Sequence, residues 1–379
     1  MKKYLTTVLC LCSFAYCFLT LYSVTTLLTA AGAETGSISL LTSCYYAGYI
    51  ISQLPGGLLA DRTGAKRLLL CCTLLNGFSV LLYGLSGSIA VKAALRVFGG
   101  LCCGPVMSSS TKLITGAFNN PISRTKNLGI MLAAPPAGLL LSNSVTPRIL
   151  SLGNESLVCL LLALPSLVLV LSGLYILSGD EGVSASTLKL SKSVKLFIGD
   201  KRQLFLAFSG FFFMFVNIGF GTWGRKYFLA SAIPSYRVNL FLSLFSIAAV
   251  LRSFLSGTIA EKLCLSHKKF LLTVLPLMAV CYLALPFLSH SLLPVFLPLL
   301  GFLSYLPSAH YTSLAVELAP PVITASAASS QNLFLQLGAL TMSPVTGFLL
   351  SVSGFSVVWC SYALLLLLSL LLATAVKKS

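Results

Sequence analysis

The sequence predicts an all-α membrane protein of twelve spanning helices, divided six and six. Three observations predict it. Of the residues, 57% are hydrophobic and 9% charged, where soluble domains carry roughly 25% charged residues; a water-soluble globule has too little polar surface to cover such a chain. The apolar residues come in twelve runs, each near the roughly 20 residues that cross a bilayer as a helix. A six-residue pattern closing the second run also returns at the close of the eighth, displaced by 200 residues.

The first six runs are 4–29, 38–60, 68–87, 93–117, 128–146 and 157–177. The first opens Met1-Lys2-Lys3 and is followed by Ala31-Gly32-Ala33, the outline of a secretory leader. Its apolar stretch far exceeds the roughly 7–15 residues of a cleaved signal, so it is read as an uncleaved first helix. The second closes in Gly57-Leu58-Leu59-Ala60-Asp61-Arg62-Thr63-Gly64-Ala65-Lys66-Arg67, where glycines, an acid and clustered bases force a sharp turn at the membrane face. The fourth holds Arg96 and Lys112 within its apolar length.

Between the sixth and seventh runs lies the longest polar stretch, Ser178 to Gln203, with five Lys/Arg and three acids. It is read as a cytoplasmic linker, giving an N-terminal bundle at 1–177, a linker at 178–203 and a C-terminal bundle at 204–379. The second six runs are 204–223, 239–258, 270–288, 292–314, 325–350 and 355–376. The eighth closes in Gly257-Thr258-Ile259-Ala260-Glu261-Lys262, the echo of Gly57 to Arg62. The twelve cysteines lie almost wholly within helices and lack the Cys/His spacing of a zinc site, so they read as small packing residues and no cofactor is expected.

The net charge of +17 could suggest nucleic acid, but its placement does not. With the amino terminus inside, seventeen of the 25 Lys and Arg fall on the cytoplasmic side. Five sit in the outer loops (Lys92, Arg148, Arg225, Lys226, Arg237) and three within spans (Arg96, Lys112, Arg252). Positive-inside bias accounts for the basicity without a nucleic-acid partner. It also puts both termini in the cytoplasm of a multi-pass protein of the plasma (inner) membrane. All eight acids lie at or beyond a helix end. Ionised side chains inside a membrane are costly and usually functional, and embedded cations without embedded acids suit a negatively charged cargo.

The 57–67 segment resembles the signature loop of the major facilitator superfamily, G-x-x-x-D-R-x-G-R-[RK]: Gly57, Asp61, Arg62, Gly64 and Arg67 fit, and Ala65-Lys66 departs slightly. Arg96 to Gly104 resembles that superfamily's fourth-helix R-x-x-x-G-x-x-x-G motif. Lys112-Leu113-Ile114 through Phe118, and Thr222-Trp223 with Tyr227, are similar to its anion:cation symporter and organophosphate:phosphate antiporter branches. Glu317-Leu318-Ala319-Pro320, Asn332, Gly338, Pro344 and Gly347 resemble its tenth and eleventh helices. The resemblance implies the major facilitator fold: two pseudo-symmetric six-helix bundles and a substrate site between them near the midplane. It further implies a monomer in the lipid bilayer working on a small molecule by alternating access, with protons or another coupling ion as a second partner. The first helix lacks the Arg of organophosphate antiporters, which counts against a phosphate ester.

The resemblance also assigns a conformational latch. Asp61 would sit against the start of helix eleven near Thr324, since a helix amino terminus carries partial positive charge and unpaired N–H donors. Gly57, Arg62, Gly64, Lys66 and Arg67 complete that latch, with topology alone as the other reading of the three bases, and Gly257, Glu261 and Lys262 form its echo. For the substrate/proton pathway Arg96 leads. It shares a helix face with Gly100 and Cys103, whereas Lys112, 16 residues on, points about 160° away. Lys112 and Arg252 can instead snorkel to the interface. Arg96 has a second reading, in which it bonds backbone carbonyls and holds helices together. Tyr16, Asn217, Tyr305, His310 and Asn332 are softer candidates, each also explained by an interhelical hydrogen bond. His310 and Glu317, seven apart on one helical face, would permit a proton relay, but Glu317 falls near the inner surface, which favours a structural pair.

The function predicted is secondary transport of a small organic anion. The alternatives are a proton-driven efflux antiporter for hydrophobic or drug-like compounds and a non-transporting membrane sensor. An embedded enzyme would need a convergent nucleophile, base or metal set. The chain has three histidines (His267, His290, His310) and no H-E-x-x-H.

Overall fold

In hydrocarbon every backbone N–H and C=O must find a partner within its own segment, so long apolar runs fold as helices. A computed structural model describes residues 2–118, 121–177, 199–262, 266–319 and 324–376. The first half holds α1 (Lys2–Ala30), α2 (Thr35–Thr63), α3 (Ala65–Leu85), α4 (Ile89–Ala117), α5 (Pro121–Met131), α6 (Ala134–Leu150) and α7 (Glu155–Ile176). The second holds α8 (Lys201–Ala230), α9 (Ser235–Lys262), α10 (His267–Ala284) with a 3-10 turn at Leu285–Phe287, α11 (Leu293–Tyr305), α12 (Pro307–Leu318), α13 (Thr324–Val352) and α14 (Phe355–Ala375).

Each of the twelve apolar runs is found. Among the described residues ten spans are long and apolar enough to cross a membrane; α2 and α9, of 29 and 28 residues, cover the other two runs. Two runs are broken where a single helix was expected, both at proline. Pro135-Pro136 remove the N–H groups that Met131 and Leu132 would bond, so α5 stops and α6 restarts with proline in its first turn. Pro307 likewise ends α11 at Tyr305 and opens α12. The expected loop at 57–67 is also shorter than the sequence suggested. Helix α2 continues to Thr63, α3 begins at Ala65, and Gly64 joins them alone with φ 89°, in the region that favours glycine.

The chain forms two compact units, Met1–Ala185 with Pro234–Ser246, and Ser186–Ile233 with Ile247–Ser379. In the first, α1 packs on α6, α2 on α4, and α3 on both α4 and α7. In the second, α8 packs on α13, α10 on α14, and α14 also on α8. Pairing of a unit's first span with its fifth, and of its third with its sixth, therefore occurs in both. Glycine brings the first and fifth spans into close contact at matching places. A Cβ on Gly138 of α6 would strike the Ala15 carbonyl oxygen (2.6 Å) and Leu19 nitrogen (2.7 Å) of α1. A Cβ on Gly338 of α13 would strike the Phe211 carbonyl and the Phe215 nitrogen (3.1 Å) of α8. The two glycines are 200 residues apart, the displacement of the Gly57/Gly257 echo. The pseudo-symmetry thus extends from sequence to backbone contact. Large apolar side chains such as Leu164, Leu167, Val168 and Leu171 on α7 stay exposed, as a lipid-facing helix requires.

Candidate functional site

The charged side chains within the spans are the chemically distinctive groups, and the structure gives each a different setting. Arg96 on α4 is buried. Its Nε donates to the Leu41 carbonyl of α2 (3.2 Å), and its two terminal nitrogens donate to the Thr20 and Leu21 carbonyls of α1 (3.3 Å each). The guanidinium carbon lies 4.5 Å from the centre of the Tyr45 ring. The neighbouring glycines build this nest. The backbone carbonyl of Tyr45 occupies the space a Cβ on Gly100 would need, and the Tyr45 ring lies 3.3 Å from a Cβ on Gly99. Small residues let the α2 backbone come close enough to place an aromatic face beneath the cation. Arg96 thereby ties α1, α2 and α4.

Lys112, further along α4, is part-buried, and its Nζ donates to the Ala60 carbonyl of α2 at 3.1 Å. That carbonyl belongs to the last turn of α2, where four acceptors have no partner within the helix and the helix dipole is negative. Arg225, expected in an outer loop, is buried because α8 continues to Ala230.

Arg252 on α9 is as buried as Arg96, at 4% exposure for each. It makes no hydrogen bond to any described residue, and its Nε is fully enclosed without a partner. Its guanidinium carbon lies 5.8 Å from the centre of the Tyr305 ring. Tyr305 ends α11 just before the Pro307 break, and His310 follows on the first turns of α12. His310 is buried and stacks on Phe270 of α10 with ring centres 3.9 Å apart and planes at 16°. Its Nδ1 is 3.0 Å from Nδ1 of His267, the first residue of α10. The second unit therefore sets Arg252 against Tyr305 and, five residues on, His310 against His267.

The other candidates are placed as follows. The Tyr16 hydroxyl donates to the Leu162 carbonyl (2.9 Å), joining α1 to α7. Asn217 is buried in α8; its amide contacts Met214 sulfur at 3.7 Å and its Oδ1 has no partner among the described residues. Asn332 is half-buried on α13. Glu317 is exposed near the end of α12, while the partner within hydrogen-bond distance of His310 is His267. Sequence reasoning missed His267 because it leads the His267-Lys268-Lys269 run, which charge bias alone explains. Of the latch residues, Gly57 and Lys66 are half-buried, Arg62 and Arg67 exposed, and Gly64 forms the turn. Asp61, Gly257, Glu261 and Lys262 lie outside the residues whose surroundings are described.

A helical membrane protein of this span number and internal repeat has the two-bundle build found among secondary transporters. The pattern that defines the Major Facilitator Superfamily matches residues 5–341, and the chain belongs to that family. Its fold is shared over its whole length by the solved nucleoside transporter NupG, in a point-mutant form. The TM-score is 0.81 at 14% identity, with 100% of each chain covered. A bacterial homolog to the human lysosomal transporter Spinster, solved inward-facing and unoccupied, matches with a TM-score of 0.75 at 15% identity, over 99% of this chain and 94% of that one. In sequence, 84 residues are 30% identical to a probable sulfoacetate transporter of Cupriavidus necator, covering 22% of this chain and 20% of that protein. A further 123-residue match is 32% identical to the chloroplastic probable anion transporter 3 of Arabidopsis thaliana, covering 32% and 24%. The chain thus aligns with about a quarter or less of either relative's length.

Proposed function

We propose that this transporter moves a small organic anion of the carboxylate or sulfonate class by alternating access, as a monomer in the plasma (inner) membrane with both termini in the cytoplasm. The observation that carries this reading is Arg252, a buried guanidinium with no hydrogen-bond partner among the described residues. An uncompensated buried charge is expensive. A carboxylate or sulfonate offers two oxygens in the fork geometry that guanidinium matches. The acids support it, since the described ones, Glu34, Glu155, Asp200 and Glu317, all stand at helix ends. Support also comes from the two partial relatives, both named for anions.

The test is uptake into proteoliposomes of labelled carboxylates, sulfonates, phosphate esters, amino acids and a lipophilic cation. Accumulation of a carboxylate or sulfonate is expected; accumulation of the lipophilic cation alone would sink the reading in favour of efflux. Gating by Asp61, echoed by Glu261, belongs to the same proposal. Asp61→Asn should slow uptake without lowering thermal stability, and an unchanged uptake rate removes that role. The bundle limits at 1–177 and 204–379, with 178–203 as linker, complete the proposed organisation.

A further inference from the structure

We infer that His267 and His310 form a one-proton site that couples the movement of the anion at Arg252 to the movement of a proton. The inference rests on the anion reading above.

The geometry fixes the capacity of the pair. With the two Nδ1 atoms 3.0 Å apart, one ring must carry the Nδ1 proton and donate it, and the other must accept. In the neutral pair the donor ring has a free lone pair at Nε2. A proton adds there and makes that ring an imidazolium whose Nδ1–H still donates to its neighbour, now as a stronger charge-assisted bond. A second proton could only go on the accepting Nδ1, which would break the bond and set two cations against each other. The pair therefore takes up one proton. Its Nδ1 proton can then pass across the hydrogen bond, moving charge from half-buried His267 to buried His310. Phe270, stacked on His310 with ring centres 3.9 Å apart, fixes the orientation of that ring.

The surroundings supply the coupling. On α9, Arg252 lies 5.8 Å from the ring of Tyr305, five residues before His310. On α11 the titratable group is Tyr305. On α12 it is Tyr311, whose hydroxyl is bonded to Ser209 and Ser369 (2.8 and 2.9 Å), with the exposed acid Glu317 two turns on. On α10, the Lys268 ammonium donates to the Thr374 and Val376 carbonyls and Lys269 is exposed. Packed α13 offers no charged residue in its described length, and α8 places Lys201 and Arg202 at its start. With Arg252 bare, its positive field opposes an imidazolium at His310. An anion on Arg252 cancels that field, and the pair gains a proton. Linkage makes the effect mutual: the proton tightens the anion by the same factor, typically about 5- to 150-fold. The outcome is symport of one proton with one anion.

The experiment uses the full chain in liposomes loaded with a pH-sensitive dye, with sulfoacetate, gluconate and glutarate presented outside. Wild-type protein should acidify the lumen by one proton per anion entered, and apparent anion affinity should rise within the 5- to 150-fold range as pH falls. His267→Gln and His310→Gln should still exchange labelled for unlabelled anion while moving no protons and losing the pH dependence. Arg252→Met should do neither. The corresponding Asn variants, which keep a donor near the Nδ1 position, stand in where a Gln variant does not fold. Undiminished acidification by folded His variants overturns the inference and leaves the anion reading intact. Loss of exchange as well, in a variant that melts like wild type, also overturns it, because a proton carrier is dispensable for exchange. A wild-type protein that moves none of these anions overturns the anion reading and this inference with it.

Discussion

Arg96 and Arg252 are equally buried arginines in two units built on one plan, yet their donors meet opposite fates. Arg96 gives three N–H groups to carbonyls of two other helices and lies against the Tyr45 ring. Arg252 gives none to any described residue. On the anion reading proposed above, the fate of its donors, and not burial, separates a structural cation from one waiting for a ligand. The three carbonyls at Arg96 carry partial charges that spread over the guanidinium and stabilise it in place. Among the described residues Arg252 has one aromatic face at 5.8 Å, and these residues leave most of its desolvation cost uncompensated.

The sharpest break of this comparison is Arg252→Met. Anion uptake should fall by about 30-fold or more, the consequence of losing a charge pair worth about 2–5 kcal/mol. Stability should hold or rise by about 1–4 kcal/mol, since an apolar side chain of similar volume replaces an unpaired charge. A variant that loses stability along with uptake would place Arg252 with Arg96 as a structural residue.

Arg96→Ala should behave in the opposite way. It removes three charge-assisted bonds and leaves a void, but the carbonyls retain partners within their own helices. Unfolding should become easier by about 2–4 kcal/mol, with uptake per folded molecule much less affected than in Arg252→Met. Arg96→Lys should recover only part of the stability, because one ammonium cannot span three carbonyls on two helices. Thermal unfolding in detergent, paired with uptake normalised to folded protein, reads both numbers. A stable Arg96→Ala protein that transports nothing would return Arg96 to the substrate path.

The comparison also requires that the two units be alike where the arginines are not concerned. Gly138 and Gly338 test this, since each meets the backbone of its unit's first span. Alanine at either should cost about 1–3 kcal/mol by forcing two backbones apart, and the two costs should agree within about 1 kcal/mol. Gly129 on α5 has open space around it, so Gly129→Ala should be neutral or stabilising by up to about 1 kcal/mol. Unequal costs at the matched glycines would mean that packing, as well as charge, has diverged between the units.

The fold was nearly all legible in the sequence, because a helix in hydrocarbon needs little beyond a long apolar run. The 6+6 division was visible in the Gly57/Gly257 echo, and Gly138/Gly338 extends it. What the sequence obscured was local and set by chain geometry: the proline breaks before α6 and α12, and a signature loop that proves to be one glycine. The site was legible as residue types and not as partnerships. Arg96 looked the strongest because its motif placed it inside the bundle, but the motif's own glycines bring the backbone that occupies it. Arg252 looked able to snorkel. Its bareness, and the meeting of His267 with His310 across 43 residues, exist only once helices pack.

Lys112 gives the smallest effect and the finest test of the distinction. Its ammonium reaches the Ala60 carbonyl of α2 at 3.1 Å, in a turn whose acceptors lack helical partners, one residue before Asp61. A cation at a helix carboxyl end is worth about 0.3–1 kcal/mol, so Lys112→Met should lower stability by about that amount and Lys112→Arg should restore it. Anion uptake should fall by less than about tenfold, because the charge serves a helix end and the carbonyl can relax. If Lys112→Met instead abolished uptake at wild-type stability, a partnered cation would be behaving like a bare one. The rule that separates Arg96 from Arg252, that satisfied donors mark structure and unsatisfied donors mark ligand, would then fail for this protein.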